Sequence, residues 1–429
     1  MADLKKIYEE VENIEAEHIM DIMKELIGID TSIPPGNTYR EYVDAISSYF
    51  KELDYLLEEV IVPEDLVRQI PYTLEGPRIN LVATKDFGQD HFVSFYGHMD
   101  VVPASEEGEQ KWRYPPFEAT INRRGKIFGR GVSDNKGAMV CLIIALQIIE
   151  KLNITLKYNV RVLNCTDEEV GVYPGLRYLA EKGYVRGIVF CMDIGIEPIV
   201  PIGLAGCMTI TVETIGKSCH AGVNFMGVNA LEAMVPILDE LIKLKEKVED
   251  RESKDIPGFP RFGTGEQRNM APMFNLDIIQ SGTKSNIVPD RCTLEIDRRI
   301  IPDENGEEVK KEIIEAIERG KVKSKALDVR TTFEYLYPPV KTNPNSPNIS
   351  RFKKVMSLVQ KVKEEDIRLI GLPYGSDMGF INKILNIDDI IITGLATWKS
   401  NSHGVNESVL LKDIKLFIKE IIVFLCADL

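Results

Sequence analysis

The chain holds only five histidines, and three of them, His98, His220 and His403, stand in short motifs rich in glycine and polar residues. His18 falls on a helical apolar stripe and His91 opens a strand, where packing or surface exposure accounts for them. His98 belongs to Tyr96-Gly97-His98-Met99-Asp100, directly after an apolar run. The His-x-Asp pair therefore emerges at the carboxyl end of a buried strand, the edge where open α/β sheets bind ligands. Spacing of two in an extended chain puts both side chains on one side. A carboxylate beside an imidazole sets its tautomer, as it does behind a metal-ligating histidine. An isolated pair of this kind is more often a loop histidine making a surface hydrogen bond.

Four further motifs carry candidate chemistry. Asp134 lies in Gly129-Arg130-Gly131-Val132-Ser133-Asp134, just ahead of a helix, where capping alone would explain it; the spacing of a nucleotide phosphate loop is absent. Asp167, Glu168 and Glu169 follow another strand. Three acids there repel one another, which is tolerable on a solvated loop or around a cation. Adjacent glutamates can divide the labour, one binding metal and the other serving as general base. Asp193 and Glu197 follow a third apolar strand, and His403 lies in Asn401-Ser402-His403-Gly404-Val405-Asn406-Glu407, where Asn406 or Ser408 would also suit a helix cap. Each motif alone is modest. Together they set His98, Asp134, Glu168, Glu169, Asp193 and His403 at the ends of successive elements. That nitrogen and oxygen set suits zinc, or a paired site open also to cobalt or manganese.

The elements that must position these residues are legible as patterns. Helical spacing covers 3–28, broken by the Pro-Pro-Gly loop at 34–36, and a second helix spans about 37–53. Strands are predicted at 57–62, 79–85 and 91–97, the last apolar enough to be buried on both faces. Helix 137–152, strand 157–165, helix 175–182 and strand 187–192 then alternate, the signature of an α/β layered domain. After residue 206 the style changes: strand 208–215, helix 228–250, a Pro, Gly and Arg-rich loop at 251–271, strands 273–280 and 291–299, helix 306–320 and strand 327–336. Strand-helix-strand-strand-helix-strand is the ferredoxin-like order. A Pro/Asn-rich linker at 338–347 returns the chain to helix 348–362, a glycine-rich turn at 371–379, strand 389–393 and a final helix, 408–426. The expected organisation is an α/β domain of residues 1–206 plus 338–429, interrupted by a smaller α+β insertion at 207–337.

Composition narrows the field. With 52 Lys and Arg against 66 Asp and Glu, the net charge is −14 over 429 residues. Proteins that grip phosphate backbones carry the opposite balance, so no nucleic-acid partner is expected. Seven cysteines without a C-x-x-C pair read as reduced thiols rather than a disulfide framework. The charged N-terminus lacks a signal-peptide core, and no apolar run reaches the ~18 residues of a membrane span. A soluble, cytoplasmic protein with no membrane association is expected.

These motifs, in this order, resemble the zinc-dependent family that includes aminoacylase, acetylornithine deacetylase, succinyl-diaminopimelate desuccinylase, carboxypeptidase G and related dipeptidases. The resemblance spans nearly the whole chain, from TSIPPGN (31–37) through GHMDVVP (97–103), W-x-x-x-PF (112–117), GRGVSDNKG (129–137), TDEEVG (166–171), KSCHAG (217–222), SNIVPD (285–290), DRR (297–299) and GSDMGF (375–380) to HGVNE (403–407). It implies a catalytic α/β domain with an inserted lid or dimerisation domain, and a homodimer. It implies two divalent metal ions, Zn2+ with Co2+ or Mn2+ as substitutes. Asp134 would bridge them, His98 and Asp193 completing one set and Glu169 and His403 the other. Asp193 is preferred to Glu197, although some relatives use a Glu-Pro at this point. Asp100 would orient His98, and Glu168 would act as general base. His220 would reach across the dimer to the oxyanion, and the peptide after Asp134 would be cis. Asn286, Arg298 and Ser376 match substrate-contacting positions, with Arg298 and Arg299 not separable by sequence.

The implied reaction is hydrolysis of the amide of an N-acyl amino acid, of deacetylase or desuccinylase type, by a metal-activated water. Carboxypeptidase or dipeptidase action on short peptides is the alternative. A metal-free dimeric binding protein is a remote third, opposed by the intact ligand and base set. The loop 251–271, with Arg251, Arg261 and Arg268, leaves two readings open: a cleft border favouring anionic acyl groups such as succinyl, or a solvated excursion.

Overall fold

The computed structural model describes residues 3–106, 109–195, 197–260 and 265–429. They form two compact units, Met1–Pro201 with Thr342–Leu369 and Phe380–Leu429, and Ile202–Lys341 with Ile370–Gly379. The boundaries differ from 206/207 and 337/338 because short strands pair across them. Val340 pairs with Leu204, and the Ala205 N–H donates to the Leu372 carbonyl. Residues 370–379 join the second unit for the same reason: the Gly371 N–H donates to the Pro257 carbonyl.

The first unit is built on a six-stranded mixed sheet. Its strands run in the order Leu56–Ile61, Ile79–Lys85, Asn159–Cys165, Phe92–His98, Ile188–Cys191 and Ile390–Ile392. The last four are mutually parallel and the first two antiparallel. Parallel strands are covered on both faces, and Asn159–Cys165 is buried throughout. The helix Lys136–Lys151 is apolar nearly all round and is buried along most of its length, packed with the final helix Leu411–Cys426. This layering turns the carboxyl ends of three neighbouring parallel strands, at His98, Cys165 and Cys191, toward one edge.

Two sequence expectations change. The stretch 3–28 is two helices, Leu4–Glu12 and Ala16–Gly28. Its apolar period continues across the break, so periodicity does not register it. The final helix begins at Leu411, because Ser408–Leu410 is a strand paired with Lys126–Phe128. Neither Asn406 nor Ser408 caps it; Leu410 holds the cap position with no side-chain bond.

The second unit has the expected ferredoxin-like order. Gly206–Ile215, helix Ala230–Glu249, Met273–Ser281, Arg291–Ile300, helix Gly306–Lys321 and Asp328–Tyr337 follow in sequence. The strands form one antiparallel sheet ordered Met273–Ser281, Arg291–Ile300, Gly206–Ile215, Asp328–Tyr337. Alternate residues of its central strands are buried, and Ile210, Val212, Leu294 and Ile296 share a core with Met234, Ile237, Leu241, Ile313 and Ile317 from the two helices. The fold is therefore an α/β unit carrying an inserted α+β unit. None of the seven cysteines is in a disulfide, and no helix among the described residues is long and apolar enough to cross a membrane.

Candidate metal centre

Five side chains named from sequence meet at the carboxyl edge of the first unit's sheet. His98 ends its strand; Glu169 and Asp193 follow the neighbouring strands; Asp134 precedes the helix Lys136–Lys151; His403 lies on the loop after Ile390–Ile392. Asp134 stands in the middle. Its Oδ1 lies 3.0 Å from His98 Nε2 and its Oδ2 3.2 Å from His403 Nε2. His98 Nε2 is also 3.5 Å from Asp193 Oδ1, and His403 Nε2 is 3.1 Å from Glu169 Oε2. Asp134 is not a helix cap: Asn135 holds that position and makes no side-chain cap bond. Glu197 is engaged elsewhere, accepting from the Trp398 indole at 2.8 Å.

The supports are local. His98 Nδ1 faces the Asp100 main-chain carbonyl at 3.0 Å and its carboxylate at 3.6 Å, while the other carboxylate oxygen of Asp100 accepts the Glu169 N–H at 2.9 Å. Asp100 thus fixes His98 chiefly through its carbonyl and ties the Glu169 loop to the same strand end. The Asp134–Asn135 peptide is cis. The Asn135 amide donates to the Met192 carbonyl at 2.7 Å. Gly97 makes room for it: a Cβ there would lie 2.5 Å from Asn135 Oδ1. Glu168 is buried next to Glu169.

Pattern reading named Asp167 only as one of three adjacent acids and did not single out Arg78, Tyr39 or Lys136. Asp167 accepts from the Tyr39 hydroxyl at 3.0 Å and pairs with Arg78 at 3.5 Å, all three buried. Lys136 is buried and donates to the carbonyls of Leu26 and Ile29. A lysine at the start of a long apolar helix was the available signal for Lys136; Arg78 and Tyr39 had none.

Proton affinities in the cluster diverge. Burial opposes charge on His98, but the carboxylates of Asp100, Asp134 and Asp193 outweigh it and hold its pKa well above the usual value. Hydrogen bonds to Asp134 and Glu169 raise His403 to about 11. Burial, reinforced by the Asp134 charge, pushes Glu169 up to about 7, and burial raises Asp193. Asp134 goes the other way: burial would raise it, but its bonds to His403 and His98 win and depress it. An anionic centre flanked by proton-holding imidazoles is a place where cations can replace protons.

The donor set fits a pair of divalent cations. His98, Asp134 and Asp193 form one group and Asp134, Glu169 and His403 a second, the ligand atoms within each lying within 4.8 Å of one another. Glu169 Oε1 is buried without a hydrogen-bond partner, an expense explained if it faces a ligand. One imidazole and two carboxylates per group is zinc chemistry, also acceptable to cobalt and manganese.

The other sequence-named residues lie in the second unit. His220 is exposed; its Nδ1 accepts the Gly222 N–H at 3.0 Å, which puts the ring proton of the neutral form on Nε2. The exposed Asn286 is beside it, its carbonyl accepting the Ala221 N–H at 2.9 Å. Ser376 is buried and its Oγ accepts the Met378 N–H at 3.3 Å. Arg298, expected at the substrate, is fully enclosed and paired with Glu304 at 2.6 Å. Alternation along the strand turns the next residue the other way: Arg299 keeps 31% of its side chain exposed, braced by Asp297 at 2.8 Å. The loop arginines are also engaged, Arg251 with Glu304 and Glu312 and Arg268 with Glu252; Arg261 lies outside the described residues.

Over residues 94–423 the chain matches Peptidase family M20/M25/M40, and it belongs to that family. It is 27% identical over 367 residues to a probable succinyl-diaminopimelate desuccinylase of Staphylococcus aureus, covering 79% of this chain and 85% of that one. It is 28% identical over 393 residues to an uncharacterized metallohydrolase of Methanocaldococcus jannaschii, covering 87% and 88%. Among solved structures, an M20 family metallo-carboxypeptidase from Sulfolobus solfataricus superposes with a TM-score of 0.78 at 19% identity, covering 96% of this chain and 98% of that one. The protein is a metallohydrolase acting on amide or peptide bonds.

Proposed function

We propose that this protein is a two-metal amidohydrolase that removes the acyl group from N-acyl amino acids. The observation that carries the reading is the pair of His-carboxylate groups sharing Asp134. When bound, the two cations supply Lewis acidity and a water acidified to near neutrality. His98 and Asp193 would hold one ion, Glu169 and His403 the other, and Asp134 both. Asp100 keeps the His98 ring in the tautomer that offers Nε2. Glu168 takes the proton of the attacking water and hands it to the leaving nitrogen, a role suited to a buried carboxylate next to a ligand. His220 of the partner subunit, with its proton on Nε2, donates to the developing oxyanion. Asn286 beside it and Ser376 line the substrate, and Arg299 rather than the enclosed Arg298 binds the substrate carboxylate.

A homodimer is favoured by the second unit's surface. Met273–Ser281 is an edge strand with Ile278 and Ile279 exposed, and the helix Ala230–Glu249 exposes Leu231, Val235 and Ile242 on one stripe. An open apolar edge of this kind invites pairing. Seven cysteines without a disulfide suit a cytoplasmic location. The name of the Staphylococcus relative supports a desuccinylase, whereas the pairing of Arg251 and Arg268 removes them as receptors for an anionic acyl group.

The test is a hydrolysis screen of zinc- and cobalt-loaded enzyme. Acetylornithine, succinyl-diaminopimelate, acetyl- and succinyl-lysine and short peptides are compared with the Glu168→Gln variant. Turnover of acylated amino acids, reduced ~10²–10⁴-fold in the variant with metal retained, is expected. Cleavage of peptides alone would make it a peptidase, and undiminished turnover in the variant would remove Glu168 as the base.

A further inference from the structure

Glu407 ends the His403-Gly404-Val405-Asn406-Glu407 motif, and nothing in the chemistry above uses it. Its side chain is enclosed, and both oxygens are saturated. Oε1 accepts from the Ser133 N–H at 2.9 Å, the Ser133 hydroxyl at 2.8 Å and the Asp134 N–H at 3.2 Å. Oε2 accepts from the Gly131 N–H at 3.0 Å and from Arg130 Nη1 at 2.8 Å. Arg130, equally buried, donates onward to the His403 carbonyl at 3.1 Å and lies over the Trp112 ring at 5.3 Å. The Gly129 N–H closes the circuit on the main-chain carbonyl of Glu407 at 3.2 Å.

One carboxylate therefore joins the loop that carries Asp134 to the loop that carries His403. The second loop needs holding. Asn401, His403 and Asn406 sit at φ of 54, 64 and 60°, a left-handed conformation that costs non-glycine residues and persists only where surroundings enforce it. A saturated, enclosed carboxylate has no capacity left for acid-base work. Neutralising Arg130 is not its whole task either, since three main-chain N–H groups of the Asp134 loop aim at Glu407 itself.

We propose that Glu407 is a positioning residue: it clamps the Asp134 and His403 loops in ligating register before any cation arrives. This rests on the two-metal reading and deepens it. The clamp presets the separation that lets the two oxygens of Asp134 meet two different histidines.

The test uses full-length protein stripped of metal, with Co2+ alone titrated against a competing chelator. Glu407→Gln sets an amide NH2 against main-chain donors and leaves Arg130 uncompensated; Arg130→Met/Glu407→Gln removes that orphaned charge and protects folding. Co2+ affinity is expected to fall roughly 10–100-fold in both, as for residues that orient metal ligands. Phe352→Ala, a truncation in the apolar core, should lower the melting temperature and leave Co2+ affinity unchanged. Wild-type affinity in a folded Glu407 variant, or an equal loss in Phe352→Ala, overturns the clamp. Hydrogen exchange of the wild-type apo-protein needs no variant: slow exchange at residues 131, 133 and 134 is expected, and fast exchange there overturns the clamp as well. Should the wild-type chain itself bind no Co2+, the two-metal reading fails and takes the clamp with it. A tightly binding wild type beside an unaffected variant sinks the clamp alone.

Discussion

Replacing Asp134 by alanine should cost both metal ions, whereas replacing Asp193 or His403 should cost one. The reasoning is geometric: Asp134 is common to the two ligand groups, its oxygens facing His98 at 3.0 Å and His403 at 3.2 Å, while Asp193 and His403 each serve a single group. The substitution is unlike a usual helix-terminus change, because Asp134 makes no cap bond and the fold loses none. An ion present at a hundred times its dissociation constant stabilises the folded state by ~2.7 kcal/mol, so two independent ions add ~5 kcal/mol. Zinc should thus raise the wild-type melting temperature by two increments, that of Asp193→Ala or His403→Ala by one, and that of Asp134→Ala by none. Elemental analysis of dialysed protein should read two, one, one and zero ions per chain in the same order, with calorimetry in zinc and in chelator giving the increments. A full equivalent of zinc retained by Asp134→Ala would refute the shared-ligand argument, since it would mean that one group closes without the bridge.

His220→Ala should abolish turnover while keeping metal, and mixing it with Glu168→Gln should restore part of the activity through heterodimers; no recovery on mixing speaks against a shared site. Arg299→Ala should raise KM for carboxylate substrates roughly 10–100-fold, the value of a lost charge-assisted hydrogen bond, whereas Arg298→Ala should lower the melting temperature by emptying an enclosed site and leaving Glu304 with Arg251 as its remaining arginine partner; steady-state kinetics and thermal melts separate the two. Glu420, buried in the final helix and bonded to Gln360, is raised by burial to about 8. Its folded-state pKa exceeds the unfolded one, so its contribution to stability is full below about pH 4.5 and is lost at roughly 1.4 kcal/mol per pH unit up to about pH 8. Glu420→Gln should flatten that decline, most visibly in urea melts at pH 7–8; parallel pH profiles of variant and wild type would refute the assignment.

Much of the architecture was legible because it rests on short-range pattern. Apolar runs of four to eight residues marked Ile79–Lys85, Phe92–His98 and Asn159–Cys165 within a residue or two, and the switch of style after residue 206 marked the insertion. What escaped was what depends on partners distant in sequence. Ser408–Leu410 looks like the first turn of a helix until Lys126–Phe128 lies beside it. Residues 370–379 look continuous with the first unit until their main chain bonds with 205 and 257. The arginines show the same limit: Arg298 and Arg299 are equivalent as letters, and only the sheet decides which one Glu304 encloses.

By itself the sequence determined the kinds of donor available, their order along the chain and the strand ends they follow, because side-chain chemistry and periodicity are local properties. Only the tertiary structure decided that Asp134 faces two histidines, that Glu197 is turned to Trp398, and that Glu407 binds the loop 131–134. Those facts are distances between residues tens to hundreds of positions apart, and such distances exist only once the chain has closed on itself.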